Sequence, residues 1–394
     1  MLLRGVDVAE PAKFLVEWGE ADVEAQLARV RAYPFPRTPM VEDGWAYGCD
    51  AQFLKDICAY WTSAYDWRAA VAELNRFPQY TIEIDGLDIH YVHLVGEAAG
   101  KRPLILVHGW PGSHFEFWRA AERLAFPSRF GGSPADAFDL VIPSLPGFGF
   151  SGKPDRPIGQ QQTAAMFNAL MTRVLGYERY FAQGGDWGAL VVSWLGHDYP
   201  QTVAALHLNM MAFRPPVNPQ TEDERRFVAQ SRKAIAWFGA YQHLQRTRPQ
   251  SVAWLAAGNP VGQAAWILER FHDWVDLGGR ELTDVISRDH LLTNVMLYVM
   301  TDSFTTGAWY YRGLVDERAG QGEPSHRIET PTAFADFPGE PQVKSPPESW
   351  IAGAYNLVRH SKMERGGHFA AMEQPEAFAD DVAAFFREQS LTPR

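Results

Sequence analysis

Short apolar runs alternate with longer helical patterns along residues 104–210, and this alternation constrains the fold more than any other feature of the sequence. The runs LILVH, DLVIP, YFAQG and VAALHLNM have the length of strands, whereas TAAMFNALMTRVL and ALVVSWLGHDY have helical spacing. The alternation predicts a parallel sheet covered by helices. It breaks between about residues 212 and 325, where aromatic-rich helical patterns follow one another, and it returns with TPTAFADFP and YNLVRHSKME. A helical block inserted at this point predicts a lid over the carboxyl ends of the strands, where such folds bind ligands.

The N-terminal part of the chain has a different pattern. Up to about residue 78 it is predicted to be mostly helical, and the runs YTIEI and LDIHYVHLV then flank the turn pair Asp85–Gly86, which predicts a hairpin. We therefore divide the chain into four parts. They are an N-terminal extension (1–95), the first part of an α/β core (96–211), a helical lid (212–325) and the second part of the core (326–394).

Charge and composition exclude several classes of function. The formal net charge of −11 argues against nucleic-acid binding, and no basic amphipathic stretch predicts binding to a membrane surface. The first twenty residues, MLLRGVDVAEPAKFLVEWGE, lack the apolar stretch of a secretion signal or membrane anchor, so a cytoplasmic protein is expected. The two cysteines, Cys49 and Cys58, are expected to be reduced thiols, and no metal-ligand spacing is present.

The sequence GGDWG at residues 184–188 lies between a predicted strand and a predicted helix. That context is the one in which a nucleophile elbow lifts its central side chain above the edge of a sheet, and here the central residue is Asp186. The alternative is an ordinary aspartate that caps the helix. A carboxylate that attacks an sp³ carbon forms an ester, which water can then hydrolyse, whereas a serine would form a stable ether. An aspartate elbow therefore favours epoxides or alkyl halides as substrates.

The sequence LVHGWPG at residues 106–112 follows a predicted strand directly. A His-Gly loop at this place supplies one backbone amide of an oxyanion hole, and the residue after the nucleophile supplies the other. The two predicted donors are therefore the backbone N–H groups of Trp110 and Trp187. We expect His108 to organise the loop through hydrogen bonds rather than to act as a base.

Of the 12 histidines, His368 in GGHF has the chain order and the loop position of a catalytic histidine. It comes after the nucleophile and after an acid in the chain, as the histidine does in the catalytic triads of such elbow-containing folds. Two acids upstream of it are candidates to orient it. Glu340 follows the strand TPTAFADFP, whereas Asp336 lies within the strand pattern, so Glu340 is preferred and Asp336 stays the alternative.

Together these motifs resemble the microsomal-type epoxide hydrolases, a family that includes juvenile-hormone epoxide hydrolases. The likeness covers most of the chain, from YGCDAQFLKDICAYWTSAYDW through HGWPGS, GGDWG, LLTNVMLY and FPGE to RGGHFAAMEQPE. It implies the α/β-hydrolase fold with an inserted helical lid and an N-terminal helical and meander extension. It also implies that neither a metal nor an organic cofactor is needed. The sequence departs from the family's membrane-bound members, which begin with an apolar anchor that the residues here do not show, so a soluble form is expected.

The resemblance also assigns residue roles. Asp186 matches the family's nucleophile, Glu340 its acid and His368 its histidine. Two lid tyrosines hold the epoxide oxygen in this family, which places them at Tyr241 in AYQHLQ and at Tyr311, with the adjacent Tyr310 as the alternative for the second position.

The expected reaction is the hydrolysis of an epoxide to a vicinal diol through an ester on Asp186. The expected partners are water and a small apolar or aromatic epoxide, and the sequence also allows a homodimer. The substrate class is suggested by the aromatic residues of the lid: Trp237, Phe238, Trp254, Trp266, Phe271, Trp274 and Trp309. One competing function is a haloalkane or haloacid dehalogenase, in which the indole N–H of Trp187 would bind halide. Another is a non-catalytic ligand-binding protein on the same fold.

Overall fold

The structure, a computed structural model, describes residues 10–36, 44–98, 100, 102–215, 218–321, 326–341 and 344–392. The strands of this part of the chain are β1 (Ala12–Phe14), β2 (Gln79–Ile84), β3 (Leu87–Leu94), β4 (Pro103–Val107), β5 (Asp139–Pro143), β6 (Tyr180–Gly184), β7 (Val203–Leu208), β8 (Ile328–Asp336) and β9 (Tyr355–Lys362). They form one sheet in the order β1-β2-β3-β5-β4-β6-β7-β8-β9. The pairs from β1 to β5 are antiparallel, and the pairs from β5 through β4 to β9 are parallel.

The helices of the described residues fall into three groups. The N-terminal group is α1 (Glu20–Arg31), α2 (Ala51–Ser63) and α3 (Trp67–Leu74). The helices that follow strands are α4 (Trp118–Ala125), α5 (Gln160–Ala169) and α6 (Asp186–Asp198). The lid helices are α7 (Glu222–Phe238), α8 (Ala240–Thr247), α9 (Pro249–Ala256), α10 (Pro260–Trp274), α11 (Leu282–Val285), α12 (Arg288–Thr301) and α13 (Phe304–Gln321). Three more close the chain: α14 (Glu348–Ala354), α15 (Ala370–Glu373) and α16 (Pro375–Arg387).

The central strands are buried on both faces. Every residue of β4, β5, β6 and β7 is buried, which explains why these segments are continuous apolar runs rather than alternating ones. Helix α6 packs across β4, β6, β7 and β8 beside α5, while α4 and α16 pack against each other. The α/β-hydrolase fold expected from the resemblance is confirmed. Strand β1 and helix α14 were not predicted, because elements of three and seven residues are too short to show a period.

The predicted hairpin is present at the antiparallel end of the sheet. Ile84 pairs with Leu87, and the two turn residues between them both have positive φ, 52° for Asp85 and 80° for Gly86. Two successive positive φ angles give the tight hairpin turn whose twist matches that of the strands. Strand β3 then pairs with β5, which joins the hairpin to the parallel strands.

The lid helices stand between β7 and β8 in the chain and contact the N-terminal extension. Helices α1 and α2 pack on α10, and α1 and α3 pack on α12. Trp45 stacks on His272 of α10 with ring centres 4.0 Å apart, and the Tyr65 hydroxyl lies 3.0 Å from Thr293 Oγ1 in α12. The N-terminal extension therefore packs against two lid helices, α10 and α12. The boundaries of the four-part division stay predictions; six residues of the predicted lid, 216–217 and 322–325, lie outside the described residues.

Two further sequence predictions concern the N-terminal extension. Cys49 and Cys58 are both free, and Cys58 is buried in α2. In the part of the chain that the structure describes, no helix is both long enough and apolar enough to cross a membrane. The first nine residues, on which part of the prediction about an anchor depends, lie outside the described residues.

Candidate active site

Asp186 stands at the sharp turn between β6 and α6. Its φ of 48° is unusual for a residue with a side chain. The turn also requires glycine at the neighbouring positions 184 and 188, where the backbone packs too closely to leave room for a side chain. A Cβ atom on Gly188 would lie 1.8 Å from the carbonyl oxygen of Val107, and one on Gly184 would lie 2.4 Å from the backbone of Gly188. Asp186 is the first residue of its helix, and the preceding Gly185 makes no side-chain cap. Its carboxylate faces the loop of residues 108–113 after β4. This loop contains Trp110, one of the two predicted oxyanion donors, and is called the oxyanion loop below.

Two groups contact the carboxylate of Asp186. The Trp110 amide donates to Oδ1 at 2.8 Å, and His368 Nε2 lies 3.3 Å from Oδ2. Gly109 leaves room for this contact, because a Cβ atom there would lie 2.3 Å from Asp186 Cβ. Trp187 follows in α6, and its ring packs edge-on against Tyr311 with centres 4.5 Å apart.

His368 is held between two carboxylates. Its Nδ1 lies 2.6 Å from Glu340 Oε2, on the side opposite the nucleophile, and both side chains are nearly inaccessible to solvent. Burial by itself lowers the pKa of His368, but the charge of Glu340 and the hydrogen bond with Asp186 outweigh burial and raise that pKa well above its ordinary value. Both carboxylates therefore favour the imidazolium form of this histidine in the free protein.

Asp336, the alternative acid, lies elsewhere. It is the last residue of β8, where it pairs with Lys362 of β9, and its carboxylate accepts a hydrogen bond from Ser345 Oγ at 3.3 Å. In the loop beyond Asp336, the Gly339 amide donates to the carbonyl of Gly366 at 2.8 Å. This hydrogen bond holds the loop of Glu340 against the loop of His368. The geometry therefore joins Glu340, and not Asp336, to His368.

The two predicted lid tyrosines meet above the oxyanion loop. Tyr241 of α8 stacks on the Trp110 ring with centres 5.1 Å apart, and Tyr311 of α13 packs edge-on against the same ring at 5.6 Å. Their own rings are 5.8 Å apart, and both side chains are buried. Tyr310 faces another way, because its hydroxyl donates to Thr163 Oγ1 of α5 at 2.9 Å. Of the two adjacent tyrosines, Tyr311 is the one that faces Tyr241.

Comparison with known proteins agrees with this geometry. A family profile described as epoxide hydrolase N terminus matches residues 11–117, and one described as alpha/beta hydrolase fold matches residues 102–236. A putative epoxide hydrolase of Stigmatella aurantiaca is 39% identical over 364 residues, which cover 91% of this chain and 81% of that protein. The chain belongs to the epoxide hydrolase family. Epoxide hydrolase 1 of Oryctolagus cuniculus is 35% identical over 92% of this chain and 85% of its own. The solved structure of Aspergillus niger epoxide hydrolase superposes with a TM-score of 0.84 at 32% identity, covering 97% of each chain.

In this epoxide hydrolase the oxyanion loop is fixed from the lid side by α12. Asn294 Nδ2 donates to the Pro111 carbonyl at 2.8 Å, and the Tyr298 hydroxyl donates to the Gly112 carbonyl at 2.7 Å. The Ser113 hydroxyl donates back to Asn294 Oδ1 at 2.9 Å. Both lid residues belong to the motif LLTNVMLY, which indicated the family but gave no hint of this contact. Their spacing of four residues, which places them on one helix face, was the available signal.

His108 has the structural role expected of it. Its side chain is fully buried, with Nδ1 3.0 Å from the Gly109 carbonyl and Nε2 accepting from the Leu145 amide at 3.1 Å. Burial lowers the pKa of His108 to about 4, so the ring is neutral at physiological pH. It joins the loop after β4 to the loop after β5 and does not contact the nucleophile through a hydrogen bond.

The loop that carries His368 is tied down at four consecutive amides. The Gly366 amide donates to Asp276 Oδ2 at 3.0 Å, and the His368 amide donates to the Trp274 carbonyl at 2.9 Å. The amides on either side of His368 both donate to Glu373, Gly367 to Oε2 at 2.8 Å and Phe369 to Oε1 at 2.9 Å. Sequence analysis did not identify Glu373.

Proposed function

We propose that Asp186, His368 and Glu340 carry out epoxide hydrolysis in two covalent steps. This chain is an epoxide hydrolase, as predicted, and the family's reaction adds water to an epoxide to give a vicinal diol. The observation that supports the assignment is the position of His368, 3.3 Å from the carboxylate of Asp186 and 2.6 Å from that of Glu340. A nucleophile, a base and an orienting acid in this order are the parts that a covalent hydrolysis needs.

The first step is ring opening. Asp186 attacks one ring carbon and forms an alkyl ester, and the carbon–oxygen bond to the epoxide oxygen breaks. Tyr241 and Tyr311 donate hydrogen bonds to that oxygen as its negative charge develops. Burial raises the pKa of Tyr311 well above its ordinary value, with the neighbouring Tyr241 and Asp186 adding to the effect. It therefore reaches the reaction as a neutral hydroxyl, the form that can donate.

Ester formation converts His368 from an acid to a base. In the free enzyme the charge on Asp186 helps to keep the imidazole protonated. The ester carries no charge, so the pKa of His368 falls when it forms and the imidazole releases its proton to solvent. The alkoxide, held by the lid tyrosines, takes up a proton from solvent, so ring opening does not depend on His368. The neutral imidazole is then ready to accept a proton from water. Glu340 stays in place and fixes the tautomer that presents a free Nε2.

The second step is hydrolysis of the ester. Water attacks the Asp186 carbonyl carbon and transfers one proton to His368, while the amides of Trp110 and Trp187 stabilise the oxyanion. The tetrahedral intermediate then breaks its bond to the diol oxygen, which takes the proton back from His368. Asp186 returns as the carboxylic acid and passes its proton to the imidazole, which restores the starting state.

The aromatic walls of the site favour an apolar or aromatic epoxide. Trp110, Trp187 and Trp274 surround the tyrosine pair, and each of them is at most 7% exposed. Such walls gain from contact with a flat or apolar group. The four-part domain division, a cytoplasmic location and a homodimer stay predictions from the sequence; sedimentation velocity measures the oligomeric state.

The test is to stop the reaction at the ester. His368→Gln should open styrene oxide, an aryl epoxide, but hydrolyse the ester too slowly to turn over. Its intact mass should rise by the mass of the epoxide, since addition expels no atom, and peptide mapping should place the increment on the peptide that contains Asp186. In His368→Gln combined with Asp186→Asn the increment should be absent at early times.

The matched control is His243→Gln, which changes an exposed histidine of the lid helix α8. It should turn over like the wild type and carry no added mass. An inactive His368→Gln protein without any added mass, beside an active wild type, would contradict the two-step assignment. A chloroalkane that added only its alkyl group and released chloride at a comparable rate would instead support the dehalogenase alternative.

A further inference from the structure

A small cavity lies beside the nucleophile and the histidine. Its walls include Gly109, Asp186 and His368, and the space open to water amounts to about 10 Å³. A volume of that order holds one water molecule, provided that the walls offer polar partners. Hydrolysis requires one water molecule at such a place, beside His368 Nε2 and within reach of the carbonyl carbon of Asp186.

Besides Asp186 the cavity has a second acidic wall residue, Glu116, which the mechanism does not use. Glu116 belongs to a short 3₁₀ turn, His114–Phe117, that follows the oxyanion loop. Its amide donates to the Ser113 carbonyl at 3.0 Å, and its carboxyl group folds back beneath the loop, so that a Cβ atom on Gly112 would lie 2.4 Å from Oε2. The side chain is thereby placed against the backbone that holds the nucleophile.

Glu116 as a whole is half-buried, and its carboxyl group lies beneath the loop. Loss of hydration there raises the pKa of Glu116 to about 8; the charge of His368 and a hydrogen bond from the Gly109 backbone lower that pKa, and the charge of Asp186 raises it. At neutral pH Glu116 is therefore mainly a neutral acid. A neutral carboxyl has a carbonyl oxygen that accepts and a hydroxyl that donates.

We propose that Glu116 positions the hydrolytic water in this cavity. One O–H of the water donates to His368 Nε2, and the other donates to the carbonyl oxygen of Glu116. When both hydrogens of the water are bound in this way, its lone pairs point toward the remaining side of the cavity. The ester carbon on Asp186 lies on that side. The inference rests on the proposed roles of Asp186 and His368 and assigns to Glu116 a part in the second step alone.

The neutral form suits this role. A carboxylate at this place would attract the proton of the imidazolium and would compete with the leaving diol oxygen for it. The neutral acid fixes the water without entering the proton transfer, which runs from water to His368 and from His368 to the diol. Glu116 is accordingly a positioning residue, and its loss should slow ester hydrolysis without slowing ring opening.

The experiment measures the two steps separately with styrene oxide. Stopped-flow fluorescence follows ester formation, since Trp110 and Trp187 flank Asp186, and quenched-flow mass spectrometry follows the ester as it decays. Glu116→Leu removes both polar atoms, and we expect ester formation within about 3-fold of wild type and ester hydrolysis slower by about 10²-fold, the usual effect of a misplaced reacting group. Glu116→Gln keeps a carbonyl acceptor on a neutral group, and we expect it to restore hydrolysis to within about 10-fold of wild type.

The control is Glu122→Leu in α4, six residues along the chain, where the side chain forms ion pairs with Arg76 and Arg129 at the surface. It should leave both rates unchanged. A wild-type rate of ester hydrolysis in Glu116→Leu would overturn the proposal. An equal loss of that rate in Glu116→Leu and Glu116→Gln would also overturn it, since a neutral acceptor would then not suffice. Should the leucine variant not fold, Glu116→Asp shortens the reach of the same acid and must slow hydrolysis alone. Failure of the two-step assignment looks different, because His368→Gln then forms no ester at all.

Discussion

The two adjacent tyrosines of α13 have different roles because their side chains point in different directions. Successive residues of a helix point about 100° apart, so Tyr311 faces Tyr241 in the site while Tyr310 reaches Thr163 in α5. Counting along the sequence favoured Tyr311 but left Tyr310 open, because the rotation of a helix about its axis is set by packing with distant segments. The same limit hid Glu116. Nothing in the motif HGWPGSHFEFW distinguishes a glutamate beneath the oxyanion loop from one on the surface.

The tyrosine assignment makes a prediction at this scale. Tyr241→Phe or Tyr311→Phe should each lower the rate of ester formation by about 10²-fold, since one donor to a developing alkoxide is lost. Tyr310→Phe is the matched control. It should leave that rate unchanged and lower the free energy of unfolding by about 1 kcal/mol, because the hydrogen bond to Thr163 is lost. Stopped-flow kinetics and urea unfolding measure the two effects, and a Tyr310→Phe variant as slow as Tyr311→Phe would show that the wrong tyrosine is assigned.

At the scale of elements, the histidine loop is held by one segment distant in the sequence and by one that follows it directly. The motif RGGHFAAMEQPE identifies His368 by its loop position, and chain order identifies the acid before it. The partners of the loop could not be predicted, since they come from the end of lid helix α10 and from the single turn of α15. Glu373 accepts from the amides of Gly367, Phe369 and Asp276, and so joins the lid to the histidine loop.

The three hydrogen bonds to Glu373 predict that Glu373→Gln affects kcat selectively. An amide has one acceptor oxygen where the carboxylate has two, so at least one of the three N–H groups loses its partner and the histidine loop shifts. A displacement of about 1 Å at a reacting group costs about 10²-fold in rate, and we expect that loss in kcat, with accumulation of the ester and little change in KM. The matched control is Glu376→Gln in α16, which changes an exposed acid that pairs with Arg123. Loss of substrate binding rather than of kcat in Glu373→Gln would contradict a positioning role.

For the whole molecule, the order of layers could be predicted from the sequence, but the contacts between layers could not. The buried runs and the helices between them specify a parallel sheet, and the interruption after β7 specifies an insertion. That the extension packs on α10 and α12 depends on which faces these helices bury. Their sequences do not reveal this, because eight successive residues of α12, Leu291–Tyr298, are buried on all sides and show no apolar stripe.

A cluster of charged and polar side chains links strands β7 and β9 to the last helix. Asp381 of α16 lies 3.0 Å from His207 Nε2 of β7, and its other oxygen accepts from Arg359 and Ser361 of β9 at 2.8 and 2.7 Å. Burial alone raises the pKa of Asp381, but His207, Ser361 and Arg359 together hold it well below the usual range. Because the folded pKa is depressed, this carboxylate contributes stability above its unfolded pKa of about 4, and the contribution is lost as the pH falls below that value.

Asp381→Asn should therefore destabilise the protein in a pH-dependent way. At pH 7 we expect the free energy of unfolding to fall by about 3 kcal/mol, since the charges of the cluster lose their counter-ion. Urea unfolding at a series of pH values should show a constant difference between wild type and variant from pH 7 down to about 4. Below that value the difference should shrink, because protonation then removes from the wild type what the variant already lacks. The adjacent Asp380→Asn, an exposed change in the same helix, should shift neither the stability nor its pH dependence. A difference that stayed constant down to pH 3 would mean that Asp381 acts through packing and not through its charge.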